Sequence, residues 1–443
     1  MLDSPSFHAG NIPEIGREAY ETIRELYPIS RSITGDGVRT TLRAVQRHIP
    51  LEIVEVPSGT QVFDWTVPPE WNIKDAYVKN RQGERIVDFR KCNLHVVGYS
   101  VPVHAKLTLN ELKPHLFTIP ERPDWIPFRT TFYHRNWGFC LSHKQFSELT
   151  EDEYEILIDS TLTESGTLTY GECYLPGRTK DEVLVSTHVC HPSLCNDNLS
   201  GISIATLLAR TVATWDRQYS YRFLFIPTTI GSITWLATHE DIVPFVKHGV
   251  VLTGLGDRGK VTYKKSREGK AVIDRVMAHV LKHSGQDHRI IDFMPYGYDE
   301  RQFCSPGFNL PVGSFMRTPH GEYPEYHTSG DNLDLVSPVS LGASYEHCLS
   351  AFSVLEHNRT YRTLNPKCEP QLGKRGLYRT IAGQQEKQIR ELALLWVLNL
   401  SDGSHSLLDI AERSGMPFPE IRQSAESLAA CGLLKDMCTL GHS

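Results

Sequence analysis

No stretch of this 443-residue chain reaches the roughly 18 uninterrupted apolar residues a membrane helix needs. The opening MLDSPSFHAGNIPEIGREAYETIREL lacks a basic start followed by an apolar run, so neither an export signal nor a membrane anchor is expected. Ten cysteines, at 92, 140, 173, 190, 195, 304, 348, 368, 431 and 438, are scattered and form no CxxC pair. That pattern argues against a disulfide framework and for reduced thiols in a cytoplasm. Positive charge is not in excess either: 46 Lys and Arg stand against 52 Asp and Glu, a formal net of -6, which leaves no electrostatic footprint for nucleic acid. What remains is an ordinary globular composition, 40% hydrophobic and 22% charged, in a chain too long for one core. Two or three domains are expected.

Apolar periodicity predicts an opening helix over 14–27, with Ile15, Ala19, Ile23, Leu26 and Tyr27 on one face, a second helix over 37–48, and a strand in LEIVEVPSG. From 63 to 149 the texture turns to prolines, aromatics and short alternating runs such as NLHVVGYS and TTFYHRNWGFCLS. This predicts a mostly β domain over 63–159, inserted into a first domain made of 1–62 and 160–365. Its Trp65, Trp71, Trp125 and Trp137 are expected to fill a small β core rather than line a ligand groove.

Beyond the insertion, the strand runs EYEILIDSTL, DEVLVSTH and YRFLFIPTT accompany the helical LSGISIATLLARTVATW. A crossover helix between apolar strands predicts an α/β domain with a mainly parallel sheet covered on both faces, where sites gather at the carboxyl ends of strands. After a polar connection over 366–380, residues 385–436 read as a helix, a second helix capped by Ser406, a turn at Gly415 and a third helix ending at Cys431. That is a winged-helix pattern, placed over 375–443. With five Lys and Arg against eight Asp and Glu, residues 385–436 are suited to packing or protein interaction rather than to phosphate contact.

The densest chemistry follows the strand DEVLVST, which ends at His188 and continues as VCHPSLCNDNLSG. A histidine at a strand's end and Asp197 nine residues later offer the nitrogen and oxygen ligands that zinc takes. An incidental polar loop is the simpler reading for one histidine, but two His, two Cys and one Asp within ten residues outweigh it. A structural site of His188, Cys190, His191 and Cys195 is the alternative, though their crowding makes a tetrahedron awkward. Later loops after apolar strands carry Asp257, then Asp299 and Glu300 in YGYDERQFCSPG, then Glu322, Glu325 and His327 in GEYPEYHTSGDNLD.

Together, HVCHPSLCNDNLSG, PTTIGSI, DERQ, GEYPEYHTS and EPQLGKRGLY resemble the motifs of a bacterial aminopeptidase-like family with a C-terminal winged helix, often found beside polysaccharide or natural-product genes. That family is similar in turn to zinc aminopeptidases and glutaminyl cyclases. The resemblance covers nearly the whole chain and implies a zinc-aminopeptidase-type α/β fold with a Zn2+ cofactor. His188, Asp197 and His327 would be metal ligands, with Asp257 at a second ion. The resemblance also implies a general-base glutamate after the strand YRFLFIP, but the chain reads Ile226-Pro227-Thr228-Thr229-Ile230-Gly231-Ser232. A threonine hydroxyl neither accepts a proton readily nor carries charge near neutral pH.

Peptidase activity is therefore expected to be weak unless another carboxylate serves, with Glu300, Glu322 and Glu325 as candidates, and one ion is favoured over two. Asp299, Arg301, Arg317 and Glu325 are the expected substrate contacts. Either arginine could clamp a substrate carboxylate or pair with Asp299 and Glu322, and those acids could instead hold an amino group. The expected activity is hydrolysis of a small amino-acyl or peptide-like metabolite in a biosynthetic pathway, with acyl transfer, cyclisation or impaired catalysis as the alternative. No nucleic-acid or membrane partner is expected, and a homo-oligomer stays open.

Overall fold

A computed structural model describes residues 11–377 and 384–437. Cys438, the first ten residues and the end of the connection at 378–380 lie outside the described residues. Contacts divide the chain into two units, one of residues 1–273 and 287–346, the other of 274–286 and 347–443.

In the first unit, the opening helices run Ile12–Leu26 and Asp36–Gln46, and the first buries Ala19, Ile23 and Leu26 of its expected face. An eight-stranded sheet follows the order Glu52–Pro57, Thr167–Leu175, Ser220–Ile226, Glu182–His188, Val246–Leu252, Val312–Met316, Val261–Lys264, His288–Ile291. Its central strands Ser220–Ile226, Glu182–His188, Val246–Leu252 and Val312–Met316 are mutually parallel, and antiparallel pairs flank them. Glu182–His188 and Ser220–Ile226 are buried along their whole length, as expected of apolar strands covered on both faces. The helix Ser200–Val212 connects them. The central strands therefore point the loops beginning at Val189, Pro227, Thr253 and Arg317 toward one edge of the sheet.

The insertion forms its own antiparallel sheet, ordered Arg85–Asp88, Glu70–Lys79, Glu153–Thr163, Val103–Thr108. Ala76, Val78, Val87, Phe139, Ile156 and Ile158 make its core. The run EYEILIDSTL thus belongs here and not to the large sheet, and its strand extends to Thr163, past the expected boundary at 159. Alternating burial along that strand explains the assignment, because only one of its faces meets a core.

The second unit carries the winged helix. Its helices are Gln384–Leu400, Leu407–Ser414 and Phe418–Ala430. Ser406 caps the second helix reciprocally with Asp409, and Gly415 closes it at φ 69° in the left-handed region. A strand Thr360–Thr363 lies between Asp402–Ser406 and Leu434–Asp436, so the domain begins before the expected residue 375. That strand is short and polar, and gives no alternation to read. Among the described residues no helix is long and apolar enough to cross a membrane, and nine described cysteines are free.

Candidate metal and substrate site

The loop after Glu182–His188 turns sharply before its helix, and the turn sets Asp197. Asp331 does much of this: its carboxylate accepts from the backbone N–H of Asn196 at 2.6 Å and of Asp197 at 2.9 Å, and its carbonyl accepts from Cys195 N–H. Asn198 donates to Thr187 Oγ1 at 2.8 Å and faces His188 Nδ1 at 3.2 Å. Gly201 leaves room for this arrangement, since a Cβ there would sit 2.4 Å from Asn198 Oδ1 and 2.6 Å from the Leu252 carbonyl oxygen.

So held, Asp197 is wholly buried among histidines. Its Oδ1 lies 2.9 Å from His188 Nε2, and its Oδ2 lies 3.1 Å from His327 Nε2 and 3.8 Å from His191 Nε2. Burial alone would raise the Asp197 carboxyl, but His191, His188 and His327 hold it well below the ordinary carboxylate range. Burial drives His191 down to about 3, leaving a neutral imidazole, the form that binds metal. Ligand atoms of His188, His191 and Asp197 all lie within 4.8 Å of one another. Asp197 Oδ2 and His327 Nε2 are shielded from solvent, yet neither has an aligned hydrogen-bond partner. Two facing orphan atoms, with nitrogen and carboxylate donors around them, fit a divalent cation such as zinc.

His327 reaches the cluster from the loop after Val312–Met316 at φ 55°, a left-handed conformation that is uncommon for a non-glycine residue. The insertion braces it: Phe128 N–H donates to the His327 carbonyl at 2.7 Å, and Ile126 and Ser329 exchange hydrogen bonds alongside. The insertion also reaches the other loop, where Asn93 Nδ2 donates to Ser193 Oγ at 2.8 Å.

Several expected residues are not brought to the cluster. Asp257 gives all its acceptor capacity to the chain: Oδ1 accepts from Gly259 N–H and Thr318 Oγ1, and Oδ2 accepts from Asn196 Nδ2 and Thr318 N–H. Each oxygen of Asp257 thus accepts two hydrogen bonds that tie the loops together. Glu300 is buried in an ion pair with Lys264 and accepts from Tyr298 N–H, so it has no freedom to act as a base. Glu322 is exposed and pairs with Arg289 at 2.8 Å. Glu325 is half-buried and does not line the cleft before the cluster. Arg317 donates to the carbonyls of Gly259 and Ser340, so it pairs with neither expected acid.

Others do converge. Thr228 follows the strand Ser220–Ile226 and lines the cleft with His191, His327 and Arg301. Behind it Asp299, wholly buried, accepts from Thr228 Oγ1 at 3.0 Å and from Ser232 Oγ at 2.7 Å through Oδ1, while its Oδ2 has no partner. Burial pushes the Asp299 carboxyl up to about 6, despite the opposing pull of His188 and the two hydroxyls. The sequence offers His191 only as part of a Cys/His site. The CHP run was its signal; the Cys190 thiol lies 3.5 Å from His191 Nδ1, but neither it nor Cys195 belongs to the group of His188, His191 and Asp197, and burial raises both thiols.

Residues 20–358 match the family described as a domain of unknown function, DUF4910, and residues 359–436 match a winged helix-turn-helix family. A protein of Clostridium acetobutylicum, provisionally named for polysaccharide biosynthesis and an aminopeptidase-like domain, is 54% identical over 425 residues, covering 96% of this chain and 98% of that one. A crystal structure from Clostridium acetobutylicum, provisionally described as a peptidase, superposes with a TM-score of 0.92 at 52% identity over 96% of this chain and 98% of its own. The zinc aminopeptidase of Bacillus subtilis superposes with a TM-score of 0.55 at 14% identity, over 77% of this chain and 94% of its own, a likeness of fold.

Proposed function

The chain belongs to the DUF4910 family, and from that premise we propose that it is a zinc-dependent hydrolase of aminopeptidase-like kind, acting in the cytoplasm on a small amino-acyl or peptide-like metabolite of a biosynthetic pathway. The observation that carries this is the wholly buried Asp197 carboxylate gathered among three imidazoles, His188 at 2.9 Å, His327 at 3.1 Å and His191 at 3.8 Å, with no aligned hydrogen bond to Asp197 Oδ2 or His327 Nε2. The fold it shares with a zinc aminopeptidase, and the name given to its Clostridium acetobutylicum relative, support the reaction class and the pathway setting.

His188, His191, Asp197 and His327 would hold the ion, which when bound supplies Lewis-acid polarisation of the scissile carbonyl. The chain's own residues must then manage a proton. Thr228 cannot retain it as a base, and Glu300 and Glu322 are committed to Lys264 and Arg289. Asp299 is the carboxyl left with a free oxygen, one hydroxyl behind the cleft. In this reading Thr228 passes the proton inward: its hydroxyl hydrogen is already donated to Asp299, leaving its oxygen lone pairs toward the cleft.

Thr228 also favours a second reading, in which a site without a carboxylate base disfavours water and transfers the acyl group to another acceptor, or only binds. Native metal analysis with a panel of amino-acyl amides tests the proposal. Bound zinc and metal-dependent release of the amine support it; absence of both would sink it. A Thr228→Glu variant separates the readings, because a large gain in hydrolysis would mark the present chain as altered away from that reaction.

The acidic winged helix is proposed to contact protein rather than nucleic acid. DNA retention at physiological salt would overturn that part.

A further inference from the structure

The cleft in front of the cluster has a charge character that hydrolysis alone does not require. It holds about 260 Å³, and a hollow of about 140 Å³ adjoins it through Phe132, His191, Thr228 and His327. Their fixed charges are guanidinium groups, Arg301 in the first and Arg129 in the second, and neither lining contains an Asp or Glu among the described residues. Of the nearby carboxylates, Asp197 is wholly buried among its histidines, Glu300 pairs with Lys264, Glu322 with Arg289, Asp331 accepts from two backbone amides, and Glu325 lies outside both linings. Asp299 is wholly buried behind Thr228. An ammonium group bound here would lose water and gain no counter-charge.

For an anion the balance reverses. Arg301 is half-buried, its Nε is shielded without a partner, and among the described residues it makes no ion pair. Its guanidinium lies 6.0 Å from the Tyr296 ring centre, so an aromatic face rather than a carboxylate attends it. Large rings stand open at the same cleft. Trp65 and Tyr133 are 47% and 45% exposed with ring centres 5.4 Å apart, and Tyr296 is 62% exposed. Trp65 thus departs from the small-core role expected of the insertion's tryptophans, whereas Trp71 is buried as expected.

Taking its chemistry from the hydrolase reading above, we propose that this cleft binds an N-acylated amino acid, with the free carboxylate on Arg301 and a ring-bearing acyl group against Trp65 and Tyr133, rather than a peptide with a free amino terminus. Water adds to the amide carbonyl, the C–N bond breaks, and the nitrogen takes a proton derived from that water. The products are a carboxylic acid and an amino acid.

The test is calorimetric binding to the zinc-loaded full chain of three compounds that share a ring and an amide. N-benzoylglycine carries the carboxylate, N-benzoylglycinamide is its neutral counterpart, and glycine anilide has a free amino group. N-benzoylglycine is expected to bind about tenfold tighter or more than either, as a charge-assisted contact to arginine gives. Arg301→Met should abolish that preference and Arg301→Lys restore part of it, while Trp65→Ala weakens N-benzoylglycine and its amide alike. Tightest binding by glycine anilide, a preference that survives Arg301→Met, or no binding of N-benzoylglycine would overturn the inference. Binding is read without turnover. A chain that prefers N-benzoylglycine but never cleaves it removes the hydrolase reading and keeps the ligand class; metal-dependent cleavage of glycine anilide does the reverse.

Discussion

Thr228 donates its hydroxyl to Asp299 across 3.0 Å, at the place where the family resemblance implies a glutamate. The pair puts a hydroxyl at the cleft wall and a carboxyl one step behind it. If Asp299 takes the proton during hydrolysis, Asp299→Asn should lower turnover by about 10²- to 10⁴-fold, the usual contribution of a positioned base. Zinc content should not change, because Asp299 lies outside the ligand group. Thr228→Val should lose a comparable factor by cutting the relay. Full activity in Asp299→Asn would show that the proton leaves by another route.

Asp331 supports the site without entering the cleft. Removing its carboxylate in Asp331→Ala orphans the buried amides of Asn196 and Asp197, at about 1–3 kcal/mol each. Thermal unfolding should shift accordingly. Because the same amides set Asp197, zinc affinity should fall by about 10- to 100-fold, as with other supports of a metal ligand. A variant that loses stability but keeps full zinc affinity would contradict this positioning role.

A pH effect is expected from the buried His248 on the strand Val246–Leu252. Its Nδ1 has no partner, Tyr219 packs at 5.2 Å, and burial pushes the imidazole down from 6.5 to about 4. The folded state therefore binds this proton less readily than the unfolded chain. Its contribution to stability is intact above pH 6.5 and is lost as pH falls from there toward 4, by up to about 3 kcal/mol. Melting temperatures at pH 7.5 and 5 should differ less in His248→Leu than in the natural chain. An identical difference in both would refute the assignment.

The parts of this fold that were legible in the sequence are those where local pattern and final environment agree. Glu182–His188 and Ser220–Ile226 read as buried strands because both faces are apolar, and Ser406 read as a cap because its helix begins within reach of its side chain. The site was legible as far as His188, Asp197 and His327, which the structure gathers. The hydrogen bonds that Asp257 accepts from Asn196 and Thr318 were not, since they depend on loops 61 residues away on either side. Nor was the role of Asp331, whose partners lie 135 and 134 residues earlier. The strand Glu153–Thr163 was visible as a strand, but alternation does not say which sheet it joins.

The proposed metal site is mononuclear, made by His188, His191, Asp197 and His327, with Asp257 proposed to serve the loop instead. Native mass spectrometry of zinc-loaded protein counts the ions directly. One zinc per chain is predicted, retained in Asp257→Asn and lost or sharply weakened in His191→Ala and His327→Ala. Two zinc ions per chain, with one lost in Asp257→Asn, would contradict it.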